Sequence, residues 1–376
     1  MFLAFSEMRR SKVRFGLLSG AVGLLVFLIL FQQALLTGLI DQFIGAIRNQ
    51  SADVLVYNAQ ARKNLEGSVI LADQLEAVAE VDGVATAQPW GEGTFTVRAG
   101  DTDQDAVVIG YVLGGPGAPT TLVEGRLPQT TGEAVASSRN AADGFDVGDT
   151  VEVLASQGGT STVFTVVGLA DEINYSVAPV LFTDFAGFEA AKRSVNPDAV
   201  AILPSVVAVA VDDGADAAAV AAAISAAVDG TEALTRQQAV DGSPGVSSVR
   251  QSFSVILLLF YLVVPLVTGL FFLIITFQKA SALTLLRAIG APVGPLVRSL
   301  LLQVVIVVVA GSLLATLLYW AAASAPNELG ISVEPLPIVA TAAVVLALAL
   351  VTSLAAVRRV LRIDPIAATT GAGVQV

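Results

Sequence analysis

Four long stretches of this chain contain no charged residue, and a long polar segment separates the first stretch from the other three. Each stretch exceeds the roughly 20 apolar residues that an α-helix needs to cross ~30 Å of hydrocarbon. The pattern therefore predicts four transmembrane helices in a 1 + 3 arrangement. The uncharged stretches lie between Arg14 and Asp41, Arg250 and Lys279, Arg298 and Glu328, and Glu334 and Arg358.

The bounds of the predicted helices follow from these stretches. The first helix, roughly Val13 to Ile47, is longer than a bilayer is thick, so we expect it to continue beyond the membrane as a stalk. Pro265 lies within the second stretch, where a missing backbone hydrogen bond permits a kink. We place the first helix and its stalk at 15–47 and the later helices at 251–278, 296–322 and 336–357.

Three shorter segments are predicted on the inner side of the membrane. Residues 1–14 fit an amphipathic surface helix, and a plain basic flank is an equal alternative. Residues 279–295 are too polar to span and too apolar for a solvated loop, which predicts a second surface helix or an interfacial linker. Residues 358–376 form a tail.

The polar segment, residues 48–250, predicts a mixed α+β domain between the first and second transmembrane helices. Residues 52–57 alternate as a strand does, whereas residues 71–81 repeat apolar positions every three or four residues, as a helix does. Residues 217–228 form an Ala-rich helix. Further short strands are predicted at 94–97, 106–112, 151–154, 162–167, 206–211 and 233–234.

Charge gives the predicted orientation. Between Asp41 and Arg250 there are 28 acidic and 10 basic residues, whereas the remaining ends and the second-to-third helix loop are strongly basic. Because basic segments stay in the cytoplasm, we expect a multi-pass protein of the cell membrane with both termini inside and the acidic domain outside. A hydrophobic content of 55% and a mean hydropathy of +0.76 agree with a membrane protein.

Composition also excludes several functions. The chain has no cysteine and no histidine, so disulfides, thiolate metal sites and histidine-based catalysis are impossible. The acidic domain repels nucleic acid, and we expect no nucleic-acid partner. No P-loop and no zinc-hydrolase motif occurs. We therefore predict a subunit with no catalytic residue, no metal site and no cofactor of its own.

Several motifs, in this order and on this topology, resemble the FtsX-like, MacB-type permeases of ABC transporters. The resemblance extends over essentially the whole chain. The motif Ser51-Ala-Asp-Val-Leu-Val56 is followed by Leu122-Val-Glu-Gly-Arg-Leu-Pro128 and by Gly148-Asp-Thr-Val-Glu-Val153. Phe164-Thr-Val-Val-Gly168, the loop 283–291 and the ending Arg358-Arg-Val-Leu-Arg-Ile-Asp-Pro-Ile-Ala367 continue it.

This resemblance implies a homodimeric permease that works with two copies of a separate ATPase subunit, which binds the ATP. In such permeases the loop matching 283–291 is a coupling helix that docks on the ATPase. Its apolar side chains suit a hydrophobic groove, and its arginine suits a charge-assisted contact. The candidate coupling residues are Leu283, Leu285, Leu286, Arg287, Ile289 and Gly290.

Residues 52–70 and the Phe277-Gln-Lys279 junction resemble the HrtB-type haem-export permeases more than other branches. That resemblance implies export of haem or a similar amphipathic molecule from the membrane. Export of lipids, lipoproteins or hydrophobic drugs is one alternative. Mechanical signalling to an external protein partner, without any cargo, is another.

Polar side chains within the spans are the candidate cargo contacts. Gln32, Gln33 and Tyr261 are predicted at similar depth in the outer half of the membrane, where a polar group is costly unless it is paired or binds something. Interfacial anchoring or helix–helix bonding is the alternative. Since tyrosinate can ligate haem iron, Tyr57 and Tyr175 are further candidates. Phe31, Phe43 and Phe260 are candidate apolar walls.

Overall fold

The computed structural model of the chain describes residues 11–156, 158–278, 293–324 and 335–361. The chain divides into two compact units, which we call the helical unit and the α+β unit. The helical unit comprises residues up to Gly38 and from Gln251 onward, and the α+β unit comprises Leu39–Arg250. The predicted coupling residues 283–290, most of the N-terminal surface helix and most of the C-terminal tail lie outside the described residues.

Eight α-helices and ten strands make up the described part of the chain. The helices are α1 (Lys12–Arg48), α2 (Ala72–Ala79), α3 (Phe185–Val195), α4 (Ala217–Ala227), α5 (Arg236–Gly242), α6 (Val246–Gln278), α7 (Val293–Ala323) and α8 (Pro335–Leu361). The strands are β1 (Val54–Asn58), β2 (Val84–Ala99), β3 (Thr102–Tyr111), β4 (Leu122–Gly125), β5 (Glu133–Ser137), β6 (Thr150–Val153), β7 (Thr162–Ala170), β8 (Val180–Asp184), β9 (Val206–Val211) and β10 (Thr231–Thr235).

Helices α1, α6, α7 and α8 are long and apolar enough to cross a membrane. Their contacts form one hydrophobic core, which includes Val22, Ile29, Val264, Phe272, Val304, Val307, Val345 and Ala349. Leu258, Leu262 and Leu266 recur every four residues on α6 and are 59 to 66% exposed. Because water disfavours such an exposed apolar stripe and lipid does not, this unit is that of a membrane protein.

The α+β unit contains all ten strands. The strand order is β10-β1-β9-β2-β3-β8-β5-β7-β4, with β6 paired to β2 and β7. Most pairs are antiparallel, but β3 with β8 and β5 with β7 are parallel. The unit therefore contains the strands and helices that the sequence predicts between the first and second long helices, and its sheet combines parallel and antiparallel pairs.

Helices cover this sheet in two places. Helices α2 and α4 bury Val54, Val56, Val207 and Val209 in one core, while α3 packs on β2 and β3. Phe188 of α3 lies directly over Gly91 and Gly110 of these strands. A Cβ atom on either glycine would lie 2.2 to 2.3 Å from Phe188, so only glycine permits this approach.

The end of α1 is held within the α+β unit by a short hairpin, residues 172–178. Ile44 leaves helical geometry (φ −140°, ψ 15°), and the freed carbonyls of Gln42 and Phe43 accept hydrogen bonds from the amides of Val177 (2.9 Å) and Ser176 (3.1 Å). The amide of Ala46 donates to the Asn174 carbonyl at 3.2 Å. The hairpin thus replaces hydrogen bonds that the kink removes from the helix.

Candidate functional site

Three polar side chains from three different helices meet in the helical unit. Gln33 of α1 donates from Nε2 to the Tyr261 hydroxyl of α6 at 3.2 Å. Thr341 of α8 donates from Oγ1 to Gln33 Oε1 at 3.2 Å, and the Tyr261 and Thr341 hydroxyl oxygens are 3.5 Å apart. We call this closed set of contacts the hydrogen-bond ring.

The direction of hydrogen bonding in the ring follows from counting donors. The single Thr341 proton goes to Gln33, and a Gln33 N–H goes to the Tyr261 oxygen. Tyr261 then directs its own proton toward Thr341, so each member donates once and accepts once. The ring satisfies polar groups that are costly in hydrocarbon.

A small pocket lies beside the ring. Its volume is about 40 Å³, and Gln33 contributes to its wall. Its lining also includes Thr37 and Tyr319, and the other lining residues are apolar. The full lining is Leu30, Gln33, Ala34, Thr37, Tyr319, Pro337 and Ile338.

The aromatic candidates lie in different places. Phe31 stacks on Phe27 with ring centroids 5.7 Å apart, and both pack against the helical core, as does Phe260. Phe43 belongs to the α+β unit and is 37% exposed. Gln32 is half-buried and is not a member of the ring.

The structure thus brings together Gln33 and Tyr261, which the sequence singled out, and adds Thr341, which it did not. Thr341 is 2% exposed in a helix that is otherwise almost entirely apolar. A lone hydroxyl in an apolar helix commonly bonds its own backbone, as Thr352 does to the carbonyls of Leu348 (3.0 Å) and Ala349 (3.2 Å). The sequence therefore held no signal that separates Thr341 from Thr352.

Tyr57 and Tyr175 lie in the α+β unit. Tyr57 is fully buried, and its hydroxyl has no hydrogen-bond partner in the described part of the chain. Burial raises the pKa of Tyr57; it also raises the pKa of Tyr175, to which nearby Glu92, Tyr57 and Glu66 add. Both phenols therefore hold their protons at neutral pH, which disfavours tyrosinate ligation in this conformation.

Glu92 is a further buried polar residue of the α+β unit. It is 4% exposed, and within the described residues its Oε1 has no hydrogen-bond partner. Burial raises the pKa of Glu92 to about 7, against the opposing effect of Lys192. Among the described residues, no three Asp or Glu side chains gather as a metal site.

Comparison with known proteins gives matches over most of the chain. Residues 17–227 match the family model of the MacB-like periplasmic core domain, and residues 254–365 match the FtsX-like permease C-terminal model. A putative hemin transport system permease protein HrtB of Staphylococcus haemolyticus is 23% identical over 99% of both chains. An uncharacterized ABC transporter permease of Mycobacterium tuberculosis is 26% identical, also over 99% of both.

Solved structures give weaker matches. The periplasmic region of MacB from Actinobacillus actinomycetemcomitans matches with a TM-score of 0.36 and 12% identity, covering 55% of this chain and 95% of that structure. The extracellular domain of the noncanonic ABC-type transporter YknZ from Gram-positive bacteria matches with a TM-score of 0.33 and 14% identity, covering 44% and 90%.

Proposed function

Because this chain belongs to the ABC transporter permeases that join a MacB-like periplasmic core domain to an FtsX-like permease region, we propose that it is the membrane subunit of an efflux pump. The pump exports haem or a similar amphipathic molecule from the membrane. The permease forms a homodimer with two copies of an ATPase subunit that binds the ATP. Both termini lie in the cytoplasm, and the acidic α+β unit lies outside.

The hydrogen-bond ring is the observation that carries the cargo assignment. Gln33 and Tyr261 place polar groups of two helices within the apolar helical unit, beside a pocket. Polar groups at such a position are typical of substrate paths as well as of helix contacts. In the proposed site Gln33 and Tyr261 are the principal contacts. Further proposed contacts within the helical unit are Gln32, Phe31 and Phe260. Separate cargo contacts are proposed in the α+β unit, at Phe43, Tyr57 and Tyr175.

Energy enters through the loop between α6 and α7. We assign ATPase docking to this loop, with apolar anchors and one arginine that suit a groove on a partner protein. ATP-driven closure of two ATPase subunits then moves the two loops together and tilts the attached helices. The docking residues proposed are Leu283, Leu285, Leu286, Arg287, Ile289 and Gly290.

Mechanical signalling to an external protein partner is the second candidate. The hairpin contacts at Gln42, Phe43 and Ala46 favour it, because they hold the end of a long apolar helix within the α+β unit. Movement of that helix then moves the α+β unit whether or not cargo is present. This function requires neither Gln33 nor Tyr261.

A hemin titration separates these functions. The permease and its cognate ATPase are reconstituted in nanodiscs, and the Soret band and ATP hydrolysis are followed together. Export predicts a saturable Soret shift with altered ATPase activity, weakened by Tyr261→Phe and by Gln33→Leu. Thr352→Val, which removes a hydroxyl bonded only to its own helix, is the matched control. No shift beyond that of empty nanodiscs would contradict haem export.

A further inference from the structure

The hydroxyl groups of Tyr261 and Thr341 lie side by side along one edge of the Gln33 amide. Each hydroxyl oxygen is 3.2 Å from one end of the amide, and the two oxygens are 3.5 Å apart. Atoms bonded to opposite edges of one amide would lie much farther apart. The hydroxyl pair therefore offers this edge one acceptor, from Tyr261, and one donor, from Thr341.

A carboxylic acid offers the same combination on a single carbon atom. Its carbonyl oxygen accepts from the amide N–H, and its O–H donates to the amide oxygen. Exchanging the hydroxyl pair for such an acid leaves the number of hydrogen bonds to Gln33 unchanged. The released Tyr261 hydroxyl can then donate to the bound carbonyl oxygen, so Tyr261 becomes a ligand contact and Thr341 becomes the displaced competitor.

The surroundings select the uncharged form of the acid. No charged residue lies between Arg14 and Asp41, between Arg250 and Lys279, or between Glu334 and Arg358, the stretches that contain the three ring residues. An ionised carboxylate would lack a partner of opposite charge there, at a high cost in desolvation. Burial favours the protonated form of a carboxyl group, which needs no such partner.

The pocket beside the ring has room for one small group. Its volume of about 40 Å³ exceeds the ~10–15 Å³ that one water needs. It is far below the ~300 Å³ at which sites for whole drug-sized ligands begin. Of the three ring residues, Gln33 lines this pocket and Tyr261 and Thr341 do not. The pocket therefore has room for the head group of an amphipathic molecule next to Gln33, while the bulk of the molecule remains outside.

We propose that the Gln33 amide edge is a recognition site for the protonated carboxyl group of an amphipathic acid, and that Thr341 occupies this edge until the acid displaces it. The inference rests on the proposed export function, since it assigns a head group to the exported molecule. It makes Gln33 the residue that determines specificity for acids.

The first test compares an acid with its ester. Binding of hemin, protoporphyrin IX and protoporphyrin IX dimethyl ester to the permease–ATPase complex in nanodiscs is measured by absorbance and fluorescence. Since the ester cannot donate to Gln33 Oε1, it should bind roughly tenfold more weakly than the free acid. Gln33→Leu should remove this difference.

The second test uses the competitor. Thr341→Val removes the hydroxyl that occupies Gln33 Oε1, so the free acid should bind several-fold more tightly while the ester changes little. Thr352→Val, the same substitution on the same helix, should change the binding of neither the free acid nor the ester. If Thr341 has a purely structural role, Thr341→Val should bind the free acid more weakly or as well as before. Either result would contradict the proposal that the acid displaces Thr341 from Gln33.

The outcomes separate this inference from the proposed function. Equal binding of acid and ester, or an acid preference that survives Gln33→Leu, overturns the carboxyl site and leaves haem export standing. If no porphyrin binds, the haem assignment fails. The carboxyl site is then tested by comparing the binding of a fluorescent fatty acid with that of its methyl ester. Preference for that fatty acid, lost in Gln33→Leu, supports the site; no preference overturns it.

Discussion

Glu92 has a buried carboxyl group, and its pKa of about 7 makes the stability of the α+β unit depend on pH. The unfolded chain has the ordinary lower pKa, near 4.5, so the folded state binds more protons between the two values. The stability contributed by the protonated group is therefore present at low pH and is lost as pH rises through about 7. Above that range the buried charge persists in the folded state.

We expect Glu92→Gln to stabilise the α+β unit above pH 7 and to remove most of this pH dependence. Glutamine keeps the shape of the side chain without a charge, and removes the cost of burying one. Trp90, fully buried in the same strand, reports unfolding once Trp320→Phe removes the other tryptophan. Urea titrations at pH 5 and pH 8 check this, and an unchanged pH dependence in Glu92→Gln would refute it.

Val177 has a backbone conformation that suits glycine better. Its φ of 63° is unfavourable for a β-branched residue, and the neighbouring Ser176 has a φ of 49°. Val177→Gly should stabilise the α+β unit by about 1 kcal/mol, because relief of this strain exceeds the entropy that glycine adds to the unfolded chain.

A matched control exists in β4. Val123 is 56% exposed and Val177 is 52% exposed, so each substitution to glycine removes a valine side chain of similar solvent exposure. Val123→Gly should destabilise the unit, because Val123 is in a strand. Urea midpoints from Trp90 fluorescence compare the two; a loss of stability in Val177→Gly would show that the turn is not strained.

At the scale of elements, the end of α1 depends on a close approach at Gly45. A Cβ atom there would lie 2.3 Å from the Glu172 carbonyl oxygen. Gly45→Ala should therefore push the hairpin away from the helix, lower the unfolding free energy by about 1–3 kcal/mol and speed hydrogen exchange at the Ser176 and Val177 amides.

Gly20→Ala is the control in the same helix. A Cβ at Gly20 meets nothing within 4 Å, so this substitution should not change hydrogen exchange at the hairpin amides. It should stabilise the helix slightly, because alanine has a higher helix propensity than glycine. Exchange measured by mass spectrometry on the full chain in nanodiscs separates the two variants. Equal protection in both would show that the hairpin does not hold α1.

The elements that the sequence predicted have either a clear period or an apolar run with turn residues at both ends. Strand β9 forms at 206–211 as expected, because its apolar run is bounded by turn residues. Strands β5 and β8 were not predicted. Both are short, pair in parallel as well as antiparallel and are buried on both faces, so neither shows the alternation that identifies a strand.

Strand β2 is much longer than the predicted 94–97. Its first ten residues include Pro89, Gly91 and Gly93, residue types that normally mark turns. Phe188 fills the space over Gly91, and Pro89 pairs with Val207 of β9. Contacts from distant parts of the chain thus decide this strand, and a single sequence does not show them.

At the scale of the whole molecule, absence of charge predicted the four long helices, and helix rise placed Gln33 and Tyr261 at similar depth. Their direct hydrogen bond agrees with that placement. The third ring member could not be predicted, because the rotation of α8 that brings Thr341 to Gln33 is set by packing of the helical core. The helical rise per residue predicts how deep a side chain lies in the membrane. It does not predict which side chains of other helices it contacts.

At this scale we propose that ATP hydrolysis drives the removal of hemin from the bilayer. Transfer of hemin to an acceptor protein measures this removal most directly. Proteoliposomes containing permease and ATPase are loaded with hemin, and its arrival on an external haem-binding protein is followed by absorbance. We expect transfer that requires ATP hydrolysis and falls strongly in Gln33→Leu, whereas Thr352→Val transfers hemin normally. Transfer at the same rate with a hydrolysis-deficient ATPase, or an undiminished rate in Gln33→Leu, would contradict this proposal.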